Sequence, residues 1–196
     1  WLKRCLDALQ RQTVNDFTVV VVDNASADDS VPFLRANYPE VRVIVSESNA
    51  GFASAVNRGI RETESEFVIL LNNDTEPYPA WLEHLAAAAR REPDTTASFA
   101  SCMLMMNDPA SVDNAGDMLS WHGCAIKRGH GEPAQQYLEP ALIFSPCAGA
   151  ALYRRSALNE VGLFAEYFFA YLEDVDLGLR LRLAGYQSKY VPEAKV

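Results

Sequence analysis

Phe67-Val68-Ile69-Leu70-Leu71 is an unbroken apolar run that ends abruptly in Asn72-Asn73-Asp74-Thr75-Glu76-Pro77. A short, wholly apolar run bounded by a polar turn predicts a strand buried on both faces of a sheet. Such sheets are covered by helices, and in open α/β sheets ligands bind where the strands end. Asn72, Asn73, Asp74 and Glu76 stand at that end. Asp74 offers a hard oxygen ligand, and a cation held there would neutralise a diphosphate. The same residues are ordinary turn formers, so the run by itself leaves both a structural turn and a ligand site open.

The pattern repeats along the chain. Leu2, Leu6 and Leu9 recur at helical spacing with Cys5 beside them, and this helix ends near Thr13. A β-branched run over 17–22 predicts a strand, and Asp23-Asn24-Ala25-Ser26 turns the chain into a short helix reaching Asn37. Further strands are predicted over 41–45, 67–71 and 97–106, with helices from Phe52 to about Glu62 and from Pro79 to Arg91. Alternation of this kind predicts an α/β domain, a mostly parallel central sheet flanked by helices. A sheet that begins with a helix is expected to have a strand before it, so the domain reads as truncated at both ends.

From 107 to 146 the periodicity stops. Gly116, Gly123, Gly129 and Gly131, with Pro109, Pro133, Pro140 and Pro146, mark an irregular insertion, the usual form of a lid or binding loop. Strand character returns over 148–153, and Ser156 caps a short helix that ends at Gly162. The stretch 174–184 reads two ways. Val175, Leu177, Leu179, Leu181 and Leu183 alternate as in a strand, but Asp174 and Asp176 at the start and Gly185 after the end punctuate a helix, which is the prediction adopted. A last strand is expected over 186–192.

A net charge of −9 and the lack of a Lys/Arg cluster argue against a nucleic-acid groove. No apolar run approaches the roughly 18 residues of a membrane helix, and no signal peptide is visible. Cys5, Cys102, Cys124 and Cys147 lack zinc spacing and read as reduced thiols of a cytoplasmic protein. His84, His122 and His130 form no metal pattern. No phosphate-binding P-loop is present.

Three further stretches carry candidate chemistry. Asp23, at a strand end, can accept hydrogen bonds from a base or ribose, or act as a turn acid. In Asn49-Ala50-Gly51-Phe52-Ala53, Gly51 lets backbone approach a ligand ahead of a helix N-terminus, with Asn57 further along that helix. In Phe168-Phe169-Ala170-Tyr171-Leu172-Glu173-Asp174-Val175-Asp176-Leu177, acids follow aromatics at a helix start. Aromatic walls and mutual repulsion would raise a carboxyl pKa there and poise it as a general base, while the helix N-terminus opposes this.

Taken in order, Val-Val-Asp-Asn-Ala-Ser at 21–26, Asn-Ala-Gly-Phe-Ala at 49–53, Leu-Asn-Asn-Asp-Thr-Glu-Pro at 71–77 and Phe-Phe-Ala-Tyr-Leu-Glu-Asp-Val-Asp-Leu at 168–177 resemble the family 2 glycosyltransferases of the GT-A fold, an inverting group. The glycine-rich run to Gln136-Tyr137 is similar to the rhamnosyltransferase-like branch. The resemblance implies transfer of a sugar from a nucleotide-diphospho-sugar, dTDP-rhamnose-like or a UDP-sugar, to a glycan or lipid-linked acceptor in bacterial surface-polysaccharide synthesis. It implies that Asp174 is the base of a Glu-Asp pair with Glu173. Asp74 would hold Mg²⁺ or Mn²⁺, with Asn72 at a position more often acidic. Asp23, Asn24, Ser26, Asn49, Gly51, Phe52, Asn57, Asn72, Asn73 and Gly149 would surround the donor. Residues 1–106 would form the nucleotide-binding half and 107–196 the acceptor and catalytic half. The expected location is the cytoplasm, at the inner face of the membrane where lipid-linked acceptors lie. A sugar nucleotidyltransferase and a non-catalytic sugar-nucleotide-binding module remain alternatives at this stage.

Overall fold

The first half of the chain folds in the alternating order that its periodicity predicts. The computed structural model describes residues 1–196. Its elements begin with α1 (Leu2–Gln10), β1 (Val20–Asp23), α2 (Ser30–Asn37), β2 (Arg42–Val45), α3 (Phe52–Arg61), β3 (Phe67–Leu71), α4 (Trp81–Arg91) and β4 (Thr96–Met105). They continue with β5 (Asp108–Asn114), β6 (Asp117–Leu119), β7 (Ala125–Lys127), β8 (Ala141–Ile143), β9 (Ala150–Arg154), α5 (Arg155–Val161), α6 (Glu173–Leu183) and β10 (Gln187–Lys195). None of the helices is long and apolar enough to cross a membrane.

Burial along the helices follows the helical repeat. α3 turns Ala53, Asn57 and Ile60 inward. α4 buries Trp81, Leu82, Leu85, Ala88 and Ala89, which pack with Phe99, Leu152 and Val191. Residues 173–183 are helical, with Leu177, Gly178 and Leu181 buried. The alternating leucines therefore do not mark a strand: Leu179 and Leu183 are exposed.

The α/β class is as expected, and the sheet is mixed. The strand order is β3-β9-β4-β10-β8, with β5 beside β4. β4 and β10 are parallel, β9 runs antiparallel to both β3 and β4, and β8 is antiparallel to β10. A parallel return needs a crossover, usually helical. The insertion leaves β4 and re-enters β9 at the same end of the sheet, so β9 must run the other way. β1 and β2 form a separate parallel pair.

The apolar run of β3 packs on both faces as predicted. Val68 and Leu70 join the cluster around Tyr153 and Leu177, while Phe67, Ile69 and Leu71 lie against that of α4. Only Val68 is fully buried, because β3 pairs with β9 alone and has no hydrogen-bonded strand at its other edge.

The expectation of an irregular 107–146 segment is corrected: it contains four short strands. Three of these, β6, β7 and β8, have three residues each, too short for alternation to register in sequence. Val112, Ala115, Ile143 and Tyr190 give the insertion its own small core. Gly116 (φ +100°) is obligatory in it, since a Cβ there would lie 2.7 Å from Ile143 Cδ1.

Candidate active site

The ends of β3 and β4, the start of β9, the β6–β7 hairpin and the N-terminus of α6 enclose a cleft of about 1300 Å³. Register explains the convergence. Leu71 pairs with Ala150, and the Asn72 N–H donates to the Gly149 carbonyl at 2.8 Å. The turn after β3 thus lies against the strand that enters from the insertion.

Asp174 stands in the first turn of α6, half-buried on the cleft wall. Its Oδ2 accepts the Ala148 N–H at 3.0 Å and its Oδ1 the Val175 N–H at 2.8 Å. Burial raises its pKa, and these backbone donors oppose the shift. Glu173 is 5% exposed, its Oε2 has no hydrogen-bond partner, and its pKa is also raised, chiefly by burial. The expected aromatic wall is not what buries Asp174. Tyr167, Phe169, Tyr171 and Leu172 are exposed, and Phe169, Tyr171 and Leu172 have φ of +60° to +70°. Left-handed backbone at three non-glycine residues turns the aromatics outward, and such strain clusters at functional sites. Ala148 bonds Asp174 directly, and Asp117, Cys147 and Tyr153 lie near enough to feel its charge.

Asp74 is exposed and lines the same cleft, and no protein donor bonds its carboxylate. Glu76 is held by Arg4 at 2.5 Å and Arg11 at 3.4 Å. Asp74 is thus the unpaired acid of the turn, with Asn72 beside it. No group of three or more His, Cys, Asp or Glu side chains is placed to hold an ion. A set of one carboxylate and one amide fits a hard cation that shares its shell with substrate phosphates and water. It does not fit a metal held by protein ligands alone.

Of the other residues expected around a donor, Phe52, Asn72 and Gly149 line the cleft. Asn73 is exposed outside the lining. Asp23 is buried at the end of β1, where its Oδ2 accepts the Ser26 N–H at 3.1 Å. Asn24 donates to Asn49 Oδ1 at 2.8 Å and to the Gly51 carbonyl at 3.0 Å, and it accepts from the Ala50 N–H at 3.2 Å. The 23–26 and 49–51 loops therefore form one shelf beside the cleft.

Two expectations on this side need correction. Gly51 allows a close backbone approach, but the group that approaches is Phe169: a Cβ at Gly51 would lie 2.5 Å from its carbonyl oxygen. Asn57 does not line the cleft. It is 1% exposed and clamps the 164–166 segment: it donates to the Phe164 carbonyl at 2.8 Å and to Glu166 Oε1 at 2.9 Å, and accepts from the Phe164 N–H at 3.0 Å.

Sequence reasoning missed Asp117. It heads β6 and lies on the cleft wall, 7% exposed. Burial and, secondarily, the charge of Asp174 push its pKa up to about 6, against hydrogen bonds from Asn114 and Ser145 and the charge of Lys127. The Asn114-Ala115-Gly116-Asp117 turn was a local signal, but Ser145 is remote in sequence. A folded-state pKa of about 6 above the usual 3.8 means that stability is full below the lower value and is lost as pH rises through the upper one. Asp117→Asn is therefore expected to melt with the parent near pH 3.5. Above pH ~7 it should melt several degrees higher, a gain on the order of 2 kcal/mol. Melting curves across this range check the sign.

A family model described as glycosyl transferase family 2 matches residues 1–162. The chain is 32% identical, over 218 aligned residues, to the N-acetylglucosaminyl-diphospho-decaprenol L-rhamnosyltransferase of Mycobacterium tuberculosis, covering 100% of this chain and 70% of that relative. Among solved structures, GalNAc-T7 with UDP, GalNAc and Mn²⁺ superposes with a TM-score of 0.78 at 16% identity, over 99% of this chain and 40% of that one. The mannosyltransferase PcManGT of Pyrobaculum calidifontis, with GDP-Man and Mn²⁺, gives 0.67 at 19% identity, over 99% and 51%. The chain thus spans about half or less of these solved proteins, and at such identities the likeness shows the shared GT-A fold.

Proposed function

The chain belongs to glycosyl transferase family 2, and from that premise we propose that it transfers a sugar from a nucleoside-diphospho-sugar to a hydroxyl of a lipid-linked glycan, with inversion. The observation that carries this reading is Asp174, a half-buried carboxylate oriented by two backbone N–H groups and lining one cleft with the turn that bears Asp74. The mycobacterial relative, named for a rhamnosyl transfer to a diphospho-decaprenol acceptor, favours a dTDP-rhamnose-like donor, a lipid-linked acceptor in cell-wall polysaccharide synthesis and work at a membrane surface.

Residues 1–106 hold the nucleotide in this reading, through the shelf built by Asp23, Asn24 and Asn49, and residues 107–196 bring the acceptor and Asp174. Asp174 accepts the proton of the attacking hydroxyl. The oxygen lone pair forms the new bond to the anomeric carbon as the bond from that carbon to the diphosphate oxygen breaks, and the diphosphate leaves with the electron pair. Attack from the face opposite the leaving group inverts the centre. Asp74, with Asn72, would hold Mg²⁺ or Mn²⁺ against the diphosphate. When bound, such a cation supplies charge neutralisation to the leaving group.

Thermal shift against UDP, dTDP, GDP and CDP, with and without Mn²⁺, tests the donor site. One nucleotide is expected to raise the melting temperature only with Mn²⁺, by about 2.7 kcal/mol of stabilisation at a hundredfold excess over Kd. Asp74→Ala should abolish that shift while melting like the parent, because Asp74 makes no protein hydrogen bond. A shift that survives in Asp74→Ala would remove Asp74 from the site.

A further inference from the structure

The cleft has a second built carboxyl on the side formed by the insertion. Asp117 Oδ1 accepts Asn114 Nδ2 at 2.9 Å, and Asn114 is itself fixed by the Gly116 N–H at 2.6 Å. Ser145 Oγ lies 3.4 Å from Asp117 Oδ2. The main chain locks this corner, with the Asp117 N–H bonded to the Ser145 carbonyl at 2.8 Å and the Phe144 N–H to the Asp117 carbonyl at 3.1 Å. The corner is also coupled to the helix that carries Asp174. Gly178 of α6 sits so close that a Cβ there would be 2.4 Å from Ser145 Cβ.

A carboxylate can accept about four hydrogen bonds. Asp117 receives one good bond and one long one, so acceptor capacity remains on a group that lines the cleft. Glu173 Oε2, buried and without any partner, lines the same cavity. Buried oxygens in native structures find donors. Asp117, with acceptor capacity left, and Glu173, whose Oε2 lacks a donor, line one cavity, which suits a ligand that presents several O–H groups. A diphosphate does not meet that description, because it offers acceptors and its charge is repelled by the carboxyls. A sugar ring does meet it. The cost of burying Asp117 points the same way, because shifted acids in clefts concentrate at functional sites.

We propose that Asp117, oriented by Asn114 and Ser145, binds a hydroxyl of the acceptor sugar adjacent to the one that Asp174 deprotonates, and so selects the acceptor and its linkage position. This rests on the transferase reading above. Asp117 takes no proton in the reaction. It fixes the acceptor ring so that one oxygen faces Asp174.

The experiment compares the parent with Asp117→Asn using dTDP-rhamnose and a short-chain N-acetylglucosaminyl-diphospho-lipid as the acceptor probe. Nucleotide binding is measured first, by calorimetry with dTDP and Mn²⁺. Release of dTDP to water is then measured without acceptor, and transfer with it. Asp117→Asn should keep the parent's dTDP affinity, and its water reaction should change far less than its transfer, because neither needs the acceptor sugar held. Its KM for the probe should rise about 10- to 100-fold, the size of a lost hydrogen bond to a charged group. Against probes deoxygenated at one ring position, the two proteins should become equal for the position that Asp117 reads. A merely structural role would not close that gap. An unchanged KM, a gap that persists with every deoxy probe, or an equal loss of the water reaction would overturn the proposal. A parent that binds dTDP but does not transfer to the probe would overturn this acceptor class and the proposal with it. A parent that fails to bind dTDP would instead overturn the dTDP-donor reading.

Discussion

Asp174→Asn is expected to lower the transfer rate by about 10²–10⁴, the usual worth of general-base help, while nucleotide binding and folding stay near the parent. Asparagine has the same shape but cannot accept a proton. The carboxylate now takes N–H bonds on both oxygens, and the amide can keep only one of them. The other N–H then faces an NH₂ group, a local loss on the order of 1 kcal/mol. Removing a charge whose pKa burial has raised offsets this at neutral pH, because a raised carboxyl loses stability as pH rises through its folded pKa. In the parent, transfer should grow with pH across that elevated pKa, since the proposed reaction uses the ionised form. In Asp174→Asn that limb should vanish. Single-turnover rates against pH, with calorimetry for the nucleotide, separate chemistry from binding. Parent-like turnover in the variant would remove Asp174 as the base.

What could be read in advance divides by range of interaction. The 67–77 segment was legible because its strand and turn are local, and β3 takes the predicted bounds. α6 was legible from its punctuation against a misleading alternation of leucines, since helix ends carry local capping and charge signals. The sheet was legible in class but not in direction, because the sense of β9 depends on where the insertion returns the chain. Asp117 could not be found because one of its partners, Ser145, is set by that same return. The outward turn of Phe169 and Tyr171 could not be read either. Such residues avoid positive φ, and the packing of Phe169 on Gly51 that accompanies it joins parts of the chain remote in sequence. Asn57 and Gly51 carried a signal of constraint in sequence. The constraint they meet is a contact between two loops of the chain itself.

That contact predicts a different kind of failure for Gly51→Ala, in which stability and activity fall together. Gly51 has φ +87° and ψ 170°, a region open in practice only to glycine. An alanine Cβ would lie 2.5 Å from the Phe169 carbonyl oxygen and 2.9 Å from its Cα. The chain must give at Gly51 or at Phe169. Giving at Gly51 breaks the Phe52 N–H bond to the Phe169 carbonyl, 2.6 Å long, at the start of α3. Giving at Phe169 drags Tyr171 and Leu172, which deliver Glu173 and Asp174 into the first turn of α6. Backbone strain of 1–3 kcal/mol plus the clash gives a loss of about 3 kcal/mol, or roughly 6–12 °C in melting temperature for a domain of this size. Transfer should fall about a hundredfold beyond the change in folded fraction, since a base misplaced by about 1 Å loses that much. Because the nearest obstacle is a main-chain oxygen, adding Phe169→Ala should not restore either property. Hydrogen exchange over 164–176 gives the direct readout. Increased exchange there in Gly51→Ala would show that the shelf beside the cleft holds the turn before Asp174 in place. Parent-like exchange and melting would mean that the two loops do not depend on each other, and that the position of Asp174 is set by α6 alone.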